Sequence, residues 1–174
     1  MVTTKQAVDA IARHIGFDPP RVAAVARRLT EAGVLPSGAP KAPPVLNPEH
    51  VVSIIMGSAG DGWPLHKTAA VVASHRDLTP AGVSIDALPG RLQFTAGNFL
   101  DALADEPENA RHLRIEIVST WPEIAIFYDD GTVRRFVEPG ANPNRWQGSG
   151  HRRSTTINGP AFAGTFQDLF GGAN

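Results

Sequence analysis

The chain has 174 residues, 42% of them hydrophobic, and its 16 basic and 17 acidic side chains leave a net charge of −1. This composition is typical of a globular protein and argues against one that coats nucleic acid without selectivity. Because cysteine is absent, disulfides, thiolate zinc sites and a cysteine nucleophile are excluded. The longest apolar runs are too short to cross a bilayer and no signal peptide is recognisable, so we expect a cytoplasmic protein with no membrane partner.

The charges are unevenly distributed along the chain. Residues 1–46 carry six basic and three acidic side chains, whereas residues 47–110 carry three basic and eight acidic ones. Residues 111–154 are again basic, with seven against five. Positive patches on a near-neutral body fit a site-selective DNA binder or a weak binder that gains avidity by assembling, and they also fit a protein without a nucleic-acid role.

Two short amphipathic helices joined by a tight turn are predicted near the N-terminus. Thr3 and Gln6 have the spacing of a capping box, and Gly16 is placed to end the first helix. Asp18 is expected to cap the second helix, which ends at Gly33. Each helix has an apolar stripe at helical spacing: Val8, Ile11, Ala12 and Ile15 in the first, and Val22, Val25, Ala26 and Leu29 in the second.

The second helix carries arginines away from its apolar stripe. Arg21 and Arg28 fall on the opposite face, with Arg27 on the flank. A helix-turn-helix unit places such a helix in the major groove, where the planar guanidinium donates paired hydrogen bonds to guanine or phosphate. Lys41, in the segment that follows, is a further candidate DNA contact. The alternative is a helical hairpin with a solvated charged face.

Further short helices are predicted over the acidic middle of the chain. Asn47-Pro48 starts a third helix running to about Met56, which is placed to brace the first two. Another is expected near Pro64 to Arg76, residues 77–91 look irregular, and Thr95 caps a short helix.

The C-terminal part changes to strand patterns. Residues 113–117 alternate strictly, and 124–128 and 132–137 follow as strands around an Asp129-Asp130-Gly131 turn. Residues 154–157 can return as a strand before a last helix that begins at Pro160. The prediction is an α+β fold in four parts: a helix-turn-helix-like unit at 1–38, a Pro-rich connector at 39–46, a helical region at 47–110, and an antiparallel meander with a C-terminal helix at 111–174.

A Gly/Pro/Asn-rich loop at residues 138–153 is the second candidate site. Its arginines surround a tryptophan and can act as a wing on DNA: Arg145, Arg152 and Arg153. Trp146 can equally anchor a protein contact, because tryptophan and arginine are favoured at interface centres. The remaining alternative is a solvated loop whose tryptophan covers the meander.

The last helix has aromatic residues at every fourth position: Phe162, Phe166 and Phe170. They either pack under the meander or form an exposed apolar face that drives assembly into a homo-oligomer, which would raise DNA affinity through multivalency.

Catalytic and metal-binding patterns are missing from the sequence. None of the six histidines belongs to an HxH or HExxH pair, and the serines lack a GxSxG elbow. We therefore expect a non-enzymatic protein without a metal or other cofactor.

Residues 27–38, RRLTEAGVLPSG, followed by a loop and a newly capped helix, resemble the opening of small phage and prophage proteins. Those families use a helix-turn-helix unit as a transcription regulator or as the DNA-recognition part of a small terminase subunit. The resemblance implies double-stranded DNA as partner, in regulation or packaging. The alternative is a phage accessory or inhibitor protein that binds a phage or host protein through the acidic middle or the Trp146 loop. The acidic residues considered for this are Asp101, Asp105, Glu106 and Glu108.

Overall fold

A computed structural model describes residues 1–39, 42–90 and 93–171, except for the side chains at positions 143, 145 and 147. It contains six α-helices and a five-stranded antiparallel sheet, which confirms the predicted α+β class. The helices are α1 (Thr4–His14), α2 (Pro19–Glu31), α3 (Pro48–Ala59), α4 (Thr68–Arg76), α5 (Ala96–Asp105) and α6 (Gly159–Phe170). The strands are β1 (Thr79–Pro80), β2 (Leu113–Val118), β3 (Glu123–Tyr128), β4 (Val133–Val137) and β5 (Ser154–Asn158). No described helix has both the length and the apolarity that a membrane span requires.

The helices begin where the capping chemistry predicts. Thr3, Asp18, Asn47 and Thr95 each accept a hydrogen bond from the backbone N–H three residues later, which satisfies a donor that the first turn leaves unpaired. The turn between α1 and α2 contains Gly16 at φ +84°, a left-handed conformation that favours glycine. The third helix continues to Ala59, three residues beyond the predicted end.

Helix α3 is the centre of the helical region. Every residue from Val51 to Ala59 is buried, and the helix packs against α2, α4 and α5. Gly57 makes the closest approach, since a Cβ there would lie 2.7 Å from Cγ1 of Val25 and 2.9 Å from Cγ2 of Thr68. Glycine at this position lets α2 and α4 pack on the same turn of α3.

The sheet has the strand order β1-β4-β3-β2-β5, with all neighbours antiparallel. The predicted meander forms its middle, and residues 154–158 return beside β2 as expected. The prediction of irregular structure for residues 77–91 is wrong at Thr79 and Pro80, which pair with Val137 and Phe136 of β4. A two-residue edge strand has too little pattern of its own to be read from the sequence.

The two faces of the sheet differ in chemistry. The inner face carries Ile115, Ile126 and Phe136 and packs against α5 and α6, and one apolar cluster runs from Val2 to Phe166. The outer face carries Glu116 and Arg135 among its side chains. A smaller apolar cluster covers part of this outer face under the 138–153 loop, formed by Val118, Trp121, Val137 and Ala141.

Candidate functional site

One face of helix α2 is packed in the core, and the opposite face is exposed to solvent. Val22, Val25 and Leu29 are fully buried against α1 and α3, which fixes the helix in the molecule. The opposite surface has small residues towards the N-terminus of the helix, where Ala23 is exposed, and arginines further along. The exposed surface of α2 therefore consists of small side chains around Ala23, with the guanidinium groups of Arg27 and Arg28 about one turn later.

Arg27 and Arg28 are the most accessible cations of this helix, with 78% and 45% of their side chains exposed. They share one counter-ion. Nε of Arg27 donates to Glu31 at 2.8 Å, and Nη1 of Arg28 donates to the other carboxylate oxygen at 2.9 Å. The hydrogen bond from Arg27 lowers the pKa of the Glu31 carboxyl below its ordinary value, so this carboxyl is ionised at neutral pH.

Arg21 is placed differently from the other two arginines. Its side chain is half-buried, and Nη2 donates to the carbonyl oxygen of Gly60 at 2.9 Å. Gly60 in turn lies against the ring of Trp63, where an added Cβ would come within 1.8 Å of the indole. The indole N–H donates to the carbonyl of Ser119 at 3.0 Å. Arg21 thus ties α2 to the end of α3 and, through Trp63, to the segment between β2 and β3.

Arg152, which the sequence suggested as a DNA contact, is engaged by carboxylates of the protein itself. Its guanidinium donates to both oxygens of Glu116, at 2.7 and 2.8 Å, and Nε donates to Glu123 at 3.2 Å. Only 18% of the Arg152 side chain is exposed, and the Glu123 side chain is fully buried. Arg135 also donates to Glu123, and Ser154 donates to Glu116. We call these five residues the sheet ion network.

The electrostatics of the sheet ion network follow from this geometry. Hydrogen bonding to Arg152 lowers the pKa of Glu116, and the same contact raises the pKa of Arg152. Both partners are thus held in their charged forms. The network fixes the end of the 138–153 loop on the outer face of the sheet, so this loop end is not a free wing.

The other candidate residues of the loop differ in their exposure to solvent. Arg153 remains 60% exposed and pairs with Asp61, while Trp146 is half-buried against the outer-face cluster, as expected if it covers the meander. The side chain of Arg145 and the whole of Lys41 lie outside the described residues. Their assignment to DNA contacts stays a prediction.

Two of the three phenylalanines considered for an interface on the C-terminal helix are buried inside the protein. Phe162 and Phe166 are each only 1% exposed and belong to the main core, where their ring centroids lie 4.7 Å apart. Phe170 is half-buried, and its ring stacks on Phe166 at 6.2 Å. These rings stabilise the packing of α6, which is the core alternative considered for them.

A cleft of about 700 Å³ opens between the end of α5 and the turn that joins β3 to β4. Four other clefts in the described residues have volumes of about 110 to 230 Å³. The cleft of about 700 Å³ has an apolar and a polar part. The apolar lining consists of Phe99, Ala102, Leu103, Leu113 and Tyr128, and the polar lining of Asp105, Glu106, Asn109, His112, Asp129 and Asp130. We call it the acidic cleft because four carboxylates line it: Asp105, Glu106, Asp129 and Asp130.

Part of this cleft was already visible in the charge pattern of the sequence. Asp105 and Glu106 belong to the acidic middle that was singled out for a protein contact, and the structure places both in the lining of the acidic cleft. Asp101 lies apart, in an ion pair with Arg76, and Glu108 pairs with Arg111 at 2.7 Å. Asp129 was assigned to turn chemistry alone, but it also lines the cleft, where its carboxylate lies 3.1 Å from Nδ1 of His112.

Among the residues described, no three or more His, Asp or Glu side chains are arranged to hold a metal ion. Comparisons of the chain with protein-family models, with curated proteins and with solved structures find no match.

Proposed function

We propose that the protein binds double-stranded DNA through α2, with this helix lying in the major groove. The observation that carries the proposal is the accessibility of Arg27 and Arg28 on a helix whose other face is fixed in the core. An α-helix of about 10–12 Å diameter fits a major groove about 12 Å wide. The turn at Gly16 and the packing of α2 on α1 and α3 support a helix-turn-helix arrangement.

The small residues on the exposed side of α2 suit a close approach to DNA. Ala23 leaves the backbone accessible, and an alanine methyl group is a suitable neighbour for the methyl group of thymine. The planar guanidinium groups of Arg27 and Arg28 can donate paired hydrogen bonds to phosphate or guanine. Arg21 serves mainly to position α2, because its donor is already engaged by Gly60.

Glu31 limits the affinity of this surface for DNA. It neutralises part of the charge of Arg27 and Arg28 in the free protein, and a phosphate has to replace it as their partner. Each copy therefore binds weakly by itself. Assembly into a homo-oligomer on DNA would raise the affinity by multivalency, which agrees with the phage or prophage role in regulation or packaging that the motif at residues 27–38 suggests.

The test is a fluorescence anisotropy titration of a labelled 30-base-pair duplex at several salt concentrations. We expect the double variant Arg27→Ala/Arg28→Ala to lose about tenfold or more in affinity at low salt. Two lost phosphate contacts should also reduce the slope of log K against log salt by about two. Arg111→Ala/Arg114→Ala is the matched control, because it also removes two exposed arginines, and Arg111 also pairs with a glutamate three residues away.

Two results would reject the proposal. The first is a lack of binding by the unmodified protein at low ionic strength. The second is an equal loss of affinity in the α2 variant and in Arg111→Ala/Arg114→Ala, since such a loss would reflect net charge rather than the surface of α2.

A second candidate function is binding of another protein. It is supported by the acidic cleft, whose lining includes Asp105 and Glu106. The variant Arg27→Ala/Arg28→Ala separates the two functions, because it should lose DNA affinity and keep the binding of a protein partner at the acidic cleft.

A further inference from the structure

We propose that the acidic cleft binds a basic, partly apolar peptide segment of a partner protein. The inference concerns a surface distinct from α2, because α3 packs against both α2 and α5 and thus lies between them. A DNA backbone is the wrong ligand for this cleft, since carboxylates repel phosphates.

The apolar side chains of the cleft lining supply contact area for a ligand. Phe99, Leu103, Leu113 and Tyr128 line it, and its volume of about 700 Å³ lies in the range of sites that enclose small ligands or a few residues of peptide. Leu103 and Leu113 are 6% and 7% exposed, so they belong to the core and form a firm surface. Burial of leucine or aromatic side chains on this surface is favourable.

The negative charge comes from two separate elements. Asp105 ends α5 and Glu106 caps it, where the helix dipole is already negative and where the last turn contains no basic residue. Two carboxylates at a helix C-terminus, where cations are preferred, lower the stability of α5. Residues that are unfavourable for local structure are typical of positions that bind a ligand. Asp129 and Asp130 add two more carboxylates from the turn between β3 and β4.

Two rings of the lining already stack with a guanidinium of the protein itself, which shows that such a group fits against them. The guanidinium of Arg134 lies 5.3 Å from the ring centroid of Phe99 and 5.8 Å from that of Tyr128. Arginine stacks well on such rings, and its aliphatic stem covers apolar surface. A ligand with at least two cations separated by apolar groups matches the cleft best, which describes a segment with arginine or lysine next to leucine or an aromatic residue.

The experiment is a titration of ¹⁵N-labelled protein with a hexapeptide of alternating arginine and leucine. We expect the amide signals of His112, Tyr128 and Asp129 to shift. The double variant Asp105→Asn/Asp130→Asn should weaken binding about tenfold. Both residues are exposed, so the fold is retained. Asp86→Asn/Glu108→Gln removes the same charge from exposed positions outside the cleft lining and should bind as the unmodified protein does.

Four outcomes would overturn the proposal. They are an equal loss in both double variants, signal shifts confined to another surface, spermine binding as tightly as the peptide, and cleft signals that shift on simple dilution of the protein. Spermine binding as tight as that of the peptide would show a general polycation site. Cleft signals that shift on dilution would show that a second copy of this chain occupies the cleft. Arg27→Ala/Arg28→Ala should leave peptide binding unchanged, so failure of this proposal is distinguishable from failure of DNA binding.

Discussion

Arginine–glutamate pairs occur in two contrasting places in this molecule. On α2, Arg27 and Arg28 share Glu31 in full contact with solvent. On the outer face of the sheet, Arg152 pairs with Glu116 and with the fully buried Glu123. Exposed pairs contribute little to stability and exchange partners readily, whereas a buried charge that loses its partner is strongly destabilising. Burial, rather than residue type, decides which arginines are free to meet a ligand.

The largest expected effect is the loss of stability on removing Arg152. Arg152→Ala leaves Glu116 without its bidentate partner and Glu123 with Arg135 alone, and should lower the free energy of unfolding by about 3–5 kcal/mol. Urea denaturation followed by circular dichroism measures this. Arg27→Ala/Arg28→Ala should leave the same free energy nearly unchanged. Similar losses in the two variants would remove the distinction between the regions.

The acid stability of the protein should depend on Glu116 more than on Glu31. The pKa of Glu116 is lowered in the fold from an ordinary value of 4.5, so its contribution is complete above that value and is lost as the pH falls through the folded pKa. Replacing Glu116 by glutamine should therefore flatten the fall of the unfolding midpoint below pH 4.5. The matched change Glu31→Gln acts on an exposed pair and should leave the acid profile close to that of the unmodified protein, more so in added salt.

The smallest expected effect is a gain in DNA affinity on neutralising Glu31. Glu31→Gln frees Arg27 and Arg28 from an internal competitor and should strengthen duplex binding a few-fold at low salt, with little change in stability. Anisotropy titration measures the gain, and Glu108→Gln, which frees Arg111 instead, is the control. Equal gains in the two variants would point to net charge alone.

Local chemistry explains why much of the helical region was predictable. The caps at Thr3, Asp18, Asn47 and Thr95 act within three residues, so a single stretch of sequence contains all the information needed. The β1 strand was missed because its pairing with Val137 and Phe136 depends on residues more than fifty positions away.

The candidate sites were less predictable, for a related reason. Arg152 stands in a polar loop, and the sequence contains no sign that Glu116 and Glu123 would meet it about thirty positions away. The four-residue spacing of Phe162 and Phe166 is the same for a core helix and for an interface helix. The acidic cleft combines the end of α5 with a turn some twenty residues later, so only its first half was visible in the charge pattern.

The hydrogen bond from Arg21 to the carbonyl of Gly60 has a spectroscopic consequence. Gly60 lies against Trp63, a tryptophan only 8% exposed whose N–H is held by Ser119. Removal of this contact, as in Arg21→Ala, is expected to change the surroundings of the indole. Emission from Trp63 thus reports the anchoring of α2, readable without a label once Trp121 and Trp146 are replaced by phenylalanine.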